Sequence, residues 1–374
     1  MNKAFKYRIY PNTEQALLIH KTFGCVRFVY NQMLAHRKEI YEQFKEDKEA
    51  LKQQKYKLPA DFKKEYEWLK EVDSLALANA QLNLQAAYRN FFRNPSVGFP
   101  QFKSKHRDKK SYTTNNQGGT IRLMDDRTIR LPKLKDVRIK LHRPLPEQAV
   151  IKSATISQTP TGKYTLAVLV EVQAEIKPIQ PTPETVLGLD YSSPYLFVDS
   201  QGQAADYPKF YRRAEEKLKK AQRKLSKRRR GSHNREKQRR KVAKLHERVA
   251  NQRRDFLHKL SRQIANDWEA VAMEDLNMRG MAQSLNLAKS TNDNGFGMFR
   301  TFLAYKLAEQ GKPLVVVDKW FPSSKMCGFC GVKNNELALA DRTWVCKDCG
   351  AELDRDVNAA INIQQEACRM LGIA

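Results

Sequence analysis

The sequence predicts a multidomain α+β protein, and three observations carry this prediction. Helical periodicity dominates the first hundred residues after one short strand. Alternating strands then fill residues 111–176, and strands and helices alternate from residue 186 onward. The chain has 374 residues, which fits two or three domains, and its apolar share of 41% is enough to build real cores.

The N-terminal third is predicted to be mostly helical. Its first element is a strand, because apolar and basic side chains alternate in FKYRIY at 5–10. PNTE at 11–14 indicates a turn with a helix cap, and helical periodicity follows through LLIHKTFGCVRFVYNQMLAHRKEIYEQF. Another helix is predicted from about Ser74 to Phe92.

The segment from about Ser111 to Ile176 has a different character. It contains TIRLPKLKDVRIKL and YTLAVLVEVQAEI, which alternate and are rich in Val, Ile and Thr. Several strands separated by Pro and Gly predict a small barrel or curled sheet. The next run, IKPIQPTPETV, contains three prolines and indicates a linker.

The C-terminal half mixes strands with helices. Strand signals occur in VLGLDY, LFVD, EAVAMED and PLVVVD, and between them lie two basic helices and a helix near Phe299–Glu309. A final helix closes the chain. This alternation predicts an α/β core.

The charge of the chain is concentrated in one stretch. The 68 Lys and Arg exceed the 41 Asp and Glu by 27, and residues 209–254 supply 17 of that excess, with 21 basic against four acidic residues. Apolar residues recur there at helical spacing, and Gly231-Ser232 interrupts them, which predicts two basic helices joined by a turn. A charge run is often a solvated helix face, but charges this dense repel each other unless a counterion array neutralises them. We therefore predict contact with a nucleic-acid backbone.

Several classes of protein are excluded or disfavoured. No apolar run approaches the roughly 20 residues needed to cross a bilayer, and the start MNKAFKYRIYPNTEQ has no apolar signal core. We therefore expect neither a membrane protein nor a secreted disulfide scaffold. A small-molecule enzyme is disfavoured, because this excess of positive charge indicates a polyanionic partner.

Four cysteines have the spacing of a zinc site. The pairs CGFC and CKDC form CxxC-x15-CxxC, which can present four thiolates to one ion: Cys327, Cys330, Cys346 and Cys349. Two disulfides would suit a secreted protein, and a redox CxxC is a further alternative. A closed four-thiolate shell predicts a structural rather than a catalytic zinc.

Two predicted strands end in a carboxylate. Asp190 ends VLGLD and Glu274 ends AVAME, and in each the residue two positions earlier, Gly188 or Ala272, is small and shares the acid's face. We expect the small residue to leave room for a bulky ligand beside the acid. A third acid, Asp356, falls on the first turn of a predicted helix in LDRDVNAAINIQQEACRML.

Carboxylates from separate segments can hold hard divalent cations through their oxygens. Two such ions can clamp the attacking and leaving oxygens of a phosphodiester. Most of the 41 acids in this chain are, however, expected to be surface residues or helix caps. Asp354 is predicted to be such a cap. Spacing alone leaves both interpretations open.

The motifs resemble, in their order, the TnpB (OrfB) family of transposon-associated RNA-guided nucleases, relatives of the type V CRISPR effectors. The series is FKYRIYPNTEQ, FGCVRFVYNQML, GFPQFKSK, GLDYSS, VAMEDLNMRGM, WFPSSKMCGFC, WVCKDCG and DRDVNAAINI. It covers nearly the whole chain, and its last three members are together highly specific. Two positions depart from the family pattern: Tyr191-Ser192-Ser193-Pro194 follows the first acid where a glycine is common, and Leu353 stands where a histidine is expected.

The resemblance implies a RuvC-like nuclease domain with an RNase H fold. Its catalytic acids would be Asp190, Glu274 (not Asp275) and Asp356 (not Asp354), holding two Mg²⁺ ions. The implied domains are a wedge β-barrel with a helical recognition insert, and the nuclease domain with an inserted zinc ribbon. Their residues are 1–10 and 104–178 for the wedge, 11–103 for the insert, 182–319 and 351–374 for the nuclease with basic helices at 209–262, and 320–350 for the ribbon.

The resemblance also implies the partners. They are a guide RNA from the end of the transposon and a double-stranded DNA target that carries a short adjacent motif. A cytoplasmic prokaryotic protein, bound to the nucleoid when active, is expected. The residues expected to contact nucleic acid are Arg212, Arg213, Lys227, Arg228, Arg229, Arg230, Arg239 and Arg240.

Two other functions compete with guided cleavage. One is an RNA-guided repressor that binds DNA without cutting it, as in relatives that have lost the catalytic acids. All three acids are present here, which favours cleavage. A zinc-ribbon nucleic-acid-binding protein without a guide would explain the charge and the cysteines, but not the acidic strand ends. Trp320 and Phe321 can stack on a base, but we expect them instead to pack under the ribbon.

Overall fold

The computed structural model describes residues 1–173, 175–284, 288–338 and 341–374. The chain divides into two compact units, residues 1–174 and 175–374. Within the described residues, the helices lack the length and apolar character needed to cross a membrane.

Unit 1 combines one sheet with a group of helices. Its strands are β1 (Asn2–Tyr10), β2 (Lys110–Asn115), β3 (Arg122–Asp125), β4 (Thr128–Leu131), β5 (Lys135–Lys140), β6 (Val150–Gln158) and β7 (Tyr164–Glu171). The helices all lie between the first two strands: α1 (Thr13–Phe44), α2 (Lys48–Gln53), α3 (Pro59–Glu65) and α4 (Ser74–Arg93).

The sheet of unit 1 is antiparallel, in the order β2-β6-β7-β1-β5-β4-β3. The first strand has the predicted alternation, with Phe5, Tyr7 and Ile9 buried in the core. The first helix begins with a reciprocal cap, since Asn12 accepts from the Gln15 backbone and the Gln15 side chain accepts from the Asn12 backbone. Both predictions from local sequence are confirmed.

Unit 2 mixes strands and helices along the chain. Its strands are β8 (Val186–Asp190), β9 (Val198–Asp199), β10 (Ala270–Glu274), β11 (Leu314–Val317), β12 (Thr343–Val345) and β13 (Glu352–Asp354). Its helices are α5 (Phe210–Ser226), α6 (His233–Asp267), α7 (Met278–Ser284), α8 (Ala288–Asn294), α9 (Phe296–Ala308) and α10 (Arg355–Leu371).

The central sheet of unit 2 has the order β11-β10-β8-β9. Strand β10 runs parallel to both β8 and β11, whereas β9 pairs antiparallel with β8. Leu187 and Leu189 pack on one face of the sheet with Met273 and helices α6 and α9. The opposite face, with Val186, Ala270 and Ala272, packs against α10. Burial on both faces explains why these strands are almost entirely apolar.

Gly188 in strand β8, the strand that ends in Asp190, has a different structural role from the one expected. A Cβ on Gly188 would lie 2.0 Å from the backbone oxygen of Ala360 and 2.9 Å from the backbone nitrogen of Gln364, both on α10. The expectation that Gly188 leaves room for a ligand is wrong, because helix α10 fills that space. The glycine allows the helix to pack directly against the strand.

The basic stretch forms two helices joined by a turn, as predicted. Gly231 has a φ of +81°, a conformation that glycine adopts without strain, and Ser232 caps α6 through a bond from the Arg235 backbone. Leu218 and Ala221 of α5 are buried, as are Val242 and Val249 of α6. The apolar stripes therefore pack α5 and α6 against each other and leave most of the basic residues exposed.

Candidate active site and zinc centre

Two of the three predicted acids end neighbouring parallel strands. Asp190 is the last residue of β8 and Glu274 the last of β10, and the register pairs the preceding residues, Leu189 and Met273. The carboxyl ends of parallel strands meet at one edge of a sheet. Both acids therefore lie side by side at that edge, each partly buried.

The third acid comes from the helix that covers the sheet. Asp354 caps α10 by accepting from the Val357 backbone at 2.9 Å, which confirms its predicted role. Asp356 follows in the first helical turn, where the helix dipole favours a negative charge. The side chain of Asp356 is 25% exposed.

The charges of two of the carboxylates act on the third, Asp190. Burial raises the pKa of Asp190 well above its usual range, and the charges of Glu274 and Asp356 raise it further; Arg355 acts in the opposite direction. Burial also raises the pKa of Glu274. Like charges gathered within the protein favour the binding of a cation that would relieve their repulsion.

Side chains outside the trio hold two of the acids. The hydroxyl of Ser323 donates to Glu274, and the Ser192 hydroxyl lies 3.4 Å from Asp356 Oδ2. Arg342 forms an ion pair of 3.4 Å with the other oxygen of Asp356. Asp275, beside Glu274, instead pairs with Arg300 at 2.8 Å and is largely exposed. The two adjacent acids, Glu274 and Asp275, therefore have different partners: Ser323 for Glu274 and Arg300 for Asp275.

Tyr191, which follows Asp190, contacts the end of α8 and the start of α9. The Asn294 side-chain amide donates to the Tyr191 hydroxyl at 3.0 Å, and the Tyr191 ring contacts the ring of Phe296 edge to face at 5.0 Å. Asn294 itself is buried and also accepts from the Phe296 backbone. Tyr191, the residue directly after the first acid, therefore packs in an apolar and hydrogen-bonded environment.

The four predicted cysteines form a compact cluster. Their sulfur atoms lie within 4.8 Å of one another, with 3.6 Å between Cys327 and Cys349 and between Cys330 and Cys346. A disulfide needs about 2.05 Å, so the disulfide alternative is wrong. Zn–S bonds of about 2.3 Å in a tetrahedron place sulfurs roughly 3.8 Å apart, close to the observed spacing.

The thiols lie in a suitable environment for a metal ion. Backbone N–H groups of Cys349 and Asp348 lower the pKa of the Cys346 thiol to about 7, which favours the thiolate that binds metal. At Cys330 and Cys349 backbone N–H groups also act to lower the pKa, but burial and the neighbouring thiols raise it overall. Among the described residues, this cluster alone brings three or more Cys, His, Asp or Glu ligand atoms within 4.8 Å. The acid trio is more widely spaced than the thiols.

A small core supports the cysteine cluster. Strands β12 and β13 pair antiparallel, and Leu353, at the position where a histidine was expected, packs there with Trp344 and Leu337. Trp320 does not pack under the ribbon: it is 81% exposed, and Lys319 lies over its ring at 5.0 Å. The expectation of packing under the ribbon is wrong for Trp320. Phe321 does pack, but against the sheet core beside α10 and not against the core of the ribbon.

The residues predicted to contact nucleic acid are exposed, and some have partners within the protein. Arg239 and Arg240 both pair with Glu236 and lower its pKa to about 2. The Arg212 guanidinium donates to Ser290, while its backbone donates to buried Asp293. Exposed residues of this set are Arg212, Arg213, Lys227, Arg228, Arg229, Arg230, Arg239 and Arg240.

Sequence reasoning missed three buried polar residues beside the acids: Ser323, Asn358 and Asn362. The two asparagines stand four residues apart on the face of α10 that packs inward. That spacing of polar residues within an apolar helix face was a usable signal, because buried amides require hydrogen-bond partners.

Comparison with protein families gives three matches. Residues 167–285 match the OrfB_IS605 family, described as a probable transposase, and residues 296–363 match the Cas12f1-like TNB domain. Residues 1–46 match a domain described as helix-turn-helix. In the structure this last range contains strand β1 and the single long helix α1, which differ from that description.

The chain is similar to curated proteins over nearly its whole length. It is 39% identical to a Streptomyces pristinaespiralis protein over 97% of this chain and 89% of that protein. It is 30% identical to InsQ of Escherichia coli K12 over 96% of this chain and 91% of that protein. Both carry the name "Putative RNA-guided DNA endonuclease".

A solved structure shares the fold. The Cas12f1 chain from a complex with sgRNA and target DNA aligns over 97% of this chain and 98% of its own, with a TM-score of 0.59 and 13% identity. The mixed α/β architecture of the chain is therefore similar to that of Cas12f1.

Proposed function

The chain belongs to the TnpB (OrfB/IS605) family, and from this premise we propose that it is an RNA-guided DNA endonuclease encoded by an insertion sequence. The observation that carries the proposal is the arrangement of three acids, in which the charges of Glu274 and Asp356 both reach Asp190. The relatives' shared name and their coverage of nearly the entire chain support it.

We infer that unit 2 contains a RuvC-like nuclease domain. The parallel strands β8 and β10, the antiparallel neighbour β9 and the covering helix α10 support an RNase H type of fold. The ribbon at 320–350 interrupts this domain between the second and third acids. In unit 1, a sheet whose helices are all inserted after its first strand supports a wedge barrel with a recognition insert.

The donor atoms fit the metals that the family implies. Asp190, Glu274 and Asp356 offer only oxygen, which suits hard Mg²⁺, and two ions spread over three carboxylates do not require those carboxylates to cluster as tightly as the thiols. When bound, the Mg²⁺ ions would supply an activated water and charge stabilisation for the leaving 3′-oxygen. The thiol cluster fits one zinc ion with a structural role.

The nucleic acids would follow the basic surface of α5, α6 and their turn. Exposed Lys227, Arg228, Arg229 and Arg230 can neutralise phosphates without reading sequence. Base pairing with the guide RNA would select the target, while the protein would recognise only the adjacent motif and the shape of the hybrid.

The test is cleavage of a plasmid that carries a guide-matched target beside a randomised flank. Wild type with Mg²⁺ should cut, and Asp190→Ala and Glu274→Gln should not. Asp275→Asn is the matched control, because it removes one exposed ion pair worth at most about 1 kcal/mol and should leave cutting intact. Equal cutting by wild type and Asp190→Ala would exclude Asp190 as a catalytic residue.

Two other outcomes would favour the competing functions. Tight guided binding by wild type without cutting would indicate an RNA-guided repressor. Copurification of heterogeneous RNA, rather than an RNA of defined sequence, would indicate a binding protein without a guide.

A further inference from the structure

The segment from β11 to the first cysteine pair brings a hydroxyl to the acid trio. Ser323 lies in this segment and is only 5% exposed, and its hydroxyl donates to Glu274 Oε1. The bond uses the oxygen of a partly buried carboxylate and lowers the pKa of Glu274, against the effect of burial. A donor in this position fixes the orientation of the Glu274 carboxylate. The remaining lone pairs of that carboxylate are then free to bind a metal ion.

Two asparagines of α10 hold the segment that carries this serine. The Asn362 side chain donates to the backbone oxygens of Ser323, at 2.7 Å, and Met326, at 2.8 Å. Asn358 donates to the same Met326 oxygen at 2.6 Å and accepts from the Gly328 backbone at 2.8 Å. Each asparagine is 1% exposed, so these bonds form away from competing water.

The same helix also carries the third acid. Asp356 precedes Asn358 by two residues, so α10 places one carboxylate and grips the segment whose serine binds another. Gly328, within the first cysteine pair, lies so close to the helix that a Cβ there would be 3.0 Å from Asn358 Oδ1. The cysteine pair and the acid trio are thus joined through a short chain of buried hydrogen bonds.

We infer that Ser323 is a positioning residue for Glu274, and that Asn358 and Asn362 clasp the cysteine segment to α10 to keep it there. The inference rests on the proposed nuclease function. Ser323 touches neither substrate nor the reacting atoms in this scheme and acts through the carboxylate of Glu274. The ribbon accordingly supports the acid trio as well as its own fold.

Removal of the hydroxyl should weaken binding of the divalent ion without unfolding the protein. Partners of metal ligands typically contribute 10- to 100-fold in metal affinity or activity. We expect Ser323→Ala to raise the Mg²⁺ concentration for half-maximal cleavage about 10-fold, with cleavage recovered at high Mg²⁺. Ser323→Thr retains the donor and should stay close to wild type. Asn362→Ala should shift the Mg²⁺ requirement in the same direction as Ser323→Ala.

The neighbouring Ser324 provides the matched control. No side-chain hydrogen bond is observed for it within the described part of the chain, so Ser324→Ala should leave the Mg²⁺ requirement unchanged. Zinc content by elemental analysis and the urea midpoint of unfolding should match wild type for both Ser323→Ala and Ser324→Ala. An unchanged Mg²⁺ requirement in Ser323→Ala, or a lower maximal rate that Mg²⁺ cannot restore, would overturn the inference.

A binding measurement separates this inference from the proposed function. Mn²⁺ is titrated into the full-length, nucleic-acid-free chain and followed by electron paramagnetic resonance, with Asp190→Ala as the background. Ser323→Ala should bind the Asp190-dependent Mn²⁺ about 10-fold more weakly than wild type. Equal affinity overturns the positioning role alone. If wild type binds no more Mn²⁺ than Asp190→Ala, the proposed metal site fails, and the inference fails with it.

Discussion

The close packing of strand and helix beside the acids makes Gly188→Ala a sharp test of the structure. The added Cβ would lie 2.0 Å from the Ala360 oxygen, and both of its nearest neighbours are backbone atoms of α10. A backbone inside a helix cannot turn aside as a flexible side chain can. The helix, with Asp356 on its first turn, must therefore move away from β8.

The cost of this substitution follows from the distance. Ordinary contact of a Cβ begins near 3.4 Å, so the helix must shift by more than 1 Å at this point. Overpacking of a well-packed core typically costs 1–3 kcal/mol, and we expect about 3 kcal/mol here because no side chain can yield. The Gln364 side chain also donates to the Val186 oxygen at 2.8 Å, and that bond would be strained.

The free energy of unfolding is measured by chemical denaturation, with circular dichroism as the signal. Gly297→Ala is the matched control, because Gly297 lies in helix α9 and a Cβ added there would meet nothing within 4 Å; alanine at this position should stabilise by about 0.5–1 kcal/mol. Gly188→Ala should also lose cleavage activity. An unfolding free energy for Gly188→Ala equal to wild type would refute the packing argument.

Four further predictions follow from particular contacts. Cys346→Ser should reduce the zinc bound per chain, measured by elemental analysis, and destabilise the ribbon; unchanged zinc would contradict the thiolate site. Trp320→Ala should weaken binding of a single-stranded target by about 1–3 kcal/mol in an equilibrium binding assay, whereas alanine at exposed Phe329 should not. Replacing residues 227–230 with glutamine should reduce the slope of log K for RNA against log salt by up to about 3, and an unchanged slope would remove this turn from the interface. Burial lowers the pKa of Lys306 to about 8, below roughly 10.4 in the unfolded chain, so wild type should gain stability relative to Lys306→Met as pH rises from 8 to 10; a constant difference in urea unfolding would contradict this.

Features set by neighbouring residues could be predicted from the sequence. The spacing of the cysteine pairs, the turn at Gly231 and the cap at Asp354 each depend on residues within a few positions. The alternation in the two acidic strands also indicated correctly that Leu187, Leu189 and Met273 lie on one face of the sheet and Ala272 on the other. In each case a local conformation fixes the direction of the side chain.

Several features that depend on distant segments of the chain were predicted wrongly or were not predicted. Gly188 serves helix α10, which follows it by about 170 residues in the chain, and nothing beside Gly188 in the sequence reveals that helix. Trp320 was expected inside and lies outside, because other residues, Trp344 and Leu353 among them, fill the core of the ribbon. Ser323 gains its significance only from Glu274, 49 residues earlier.

The sequence by itself determined the local conformations, the basic surface helices and the four-thiol motif, because short-range sterics and charge density decide them. The family resemblance already named the three carboxylates, but only the tertiary structure decided which buried amides and hydroxyls hold them. Parallel strands and a covering helix bring together groups that are far apart along the chain. The free energy of that packing depends on shape at the contact between helix and sheet, which no single segment encodes.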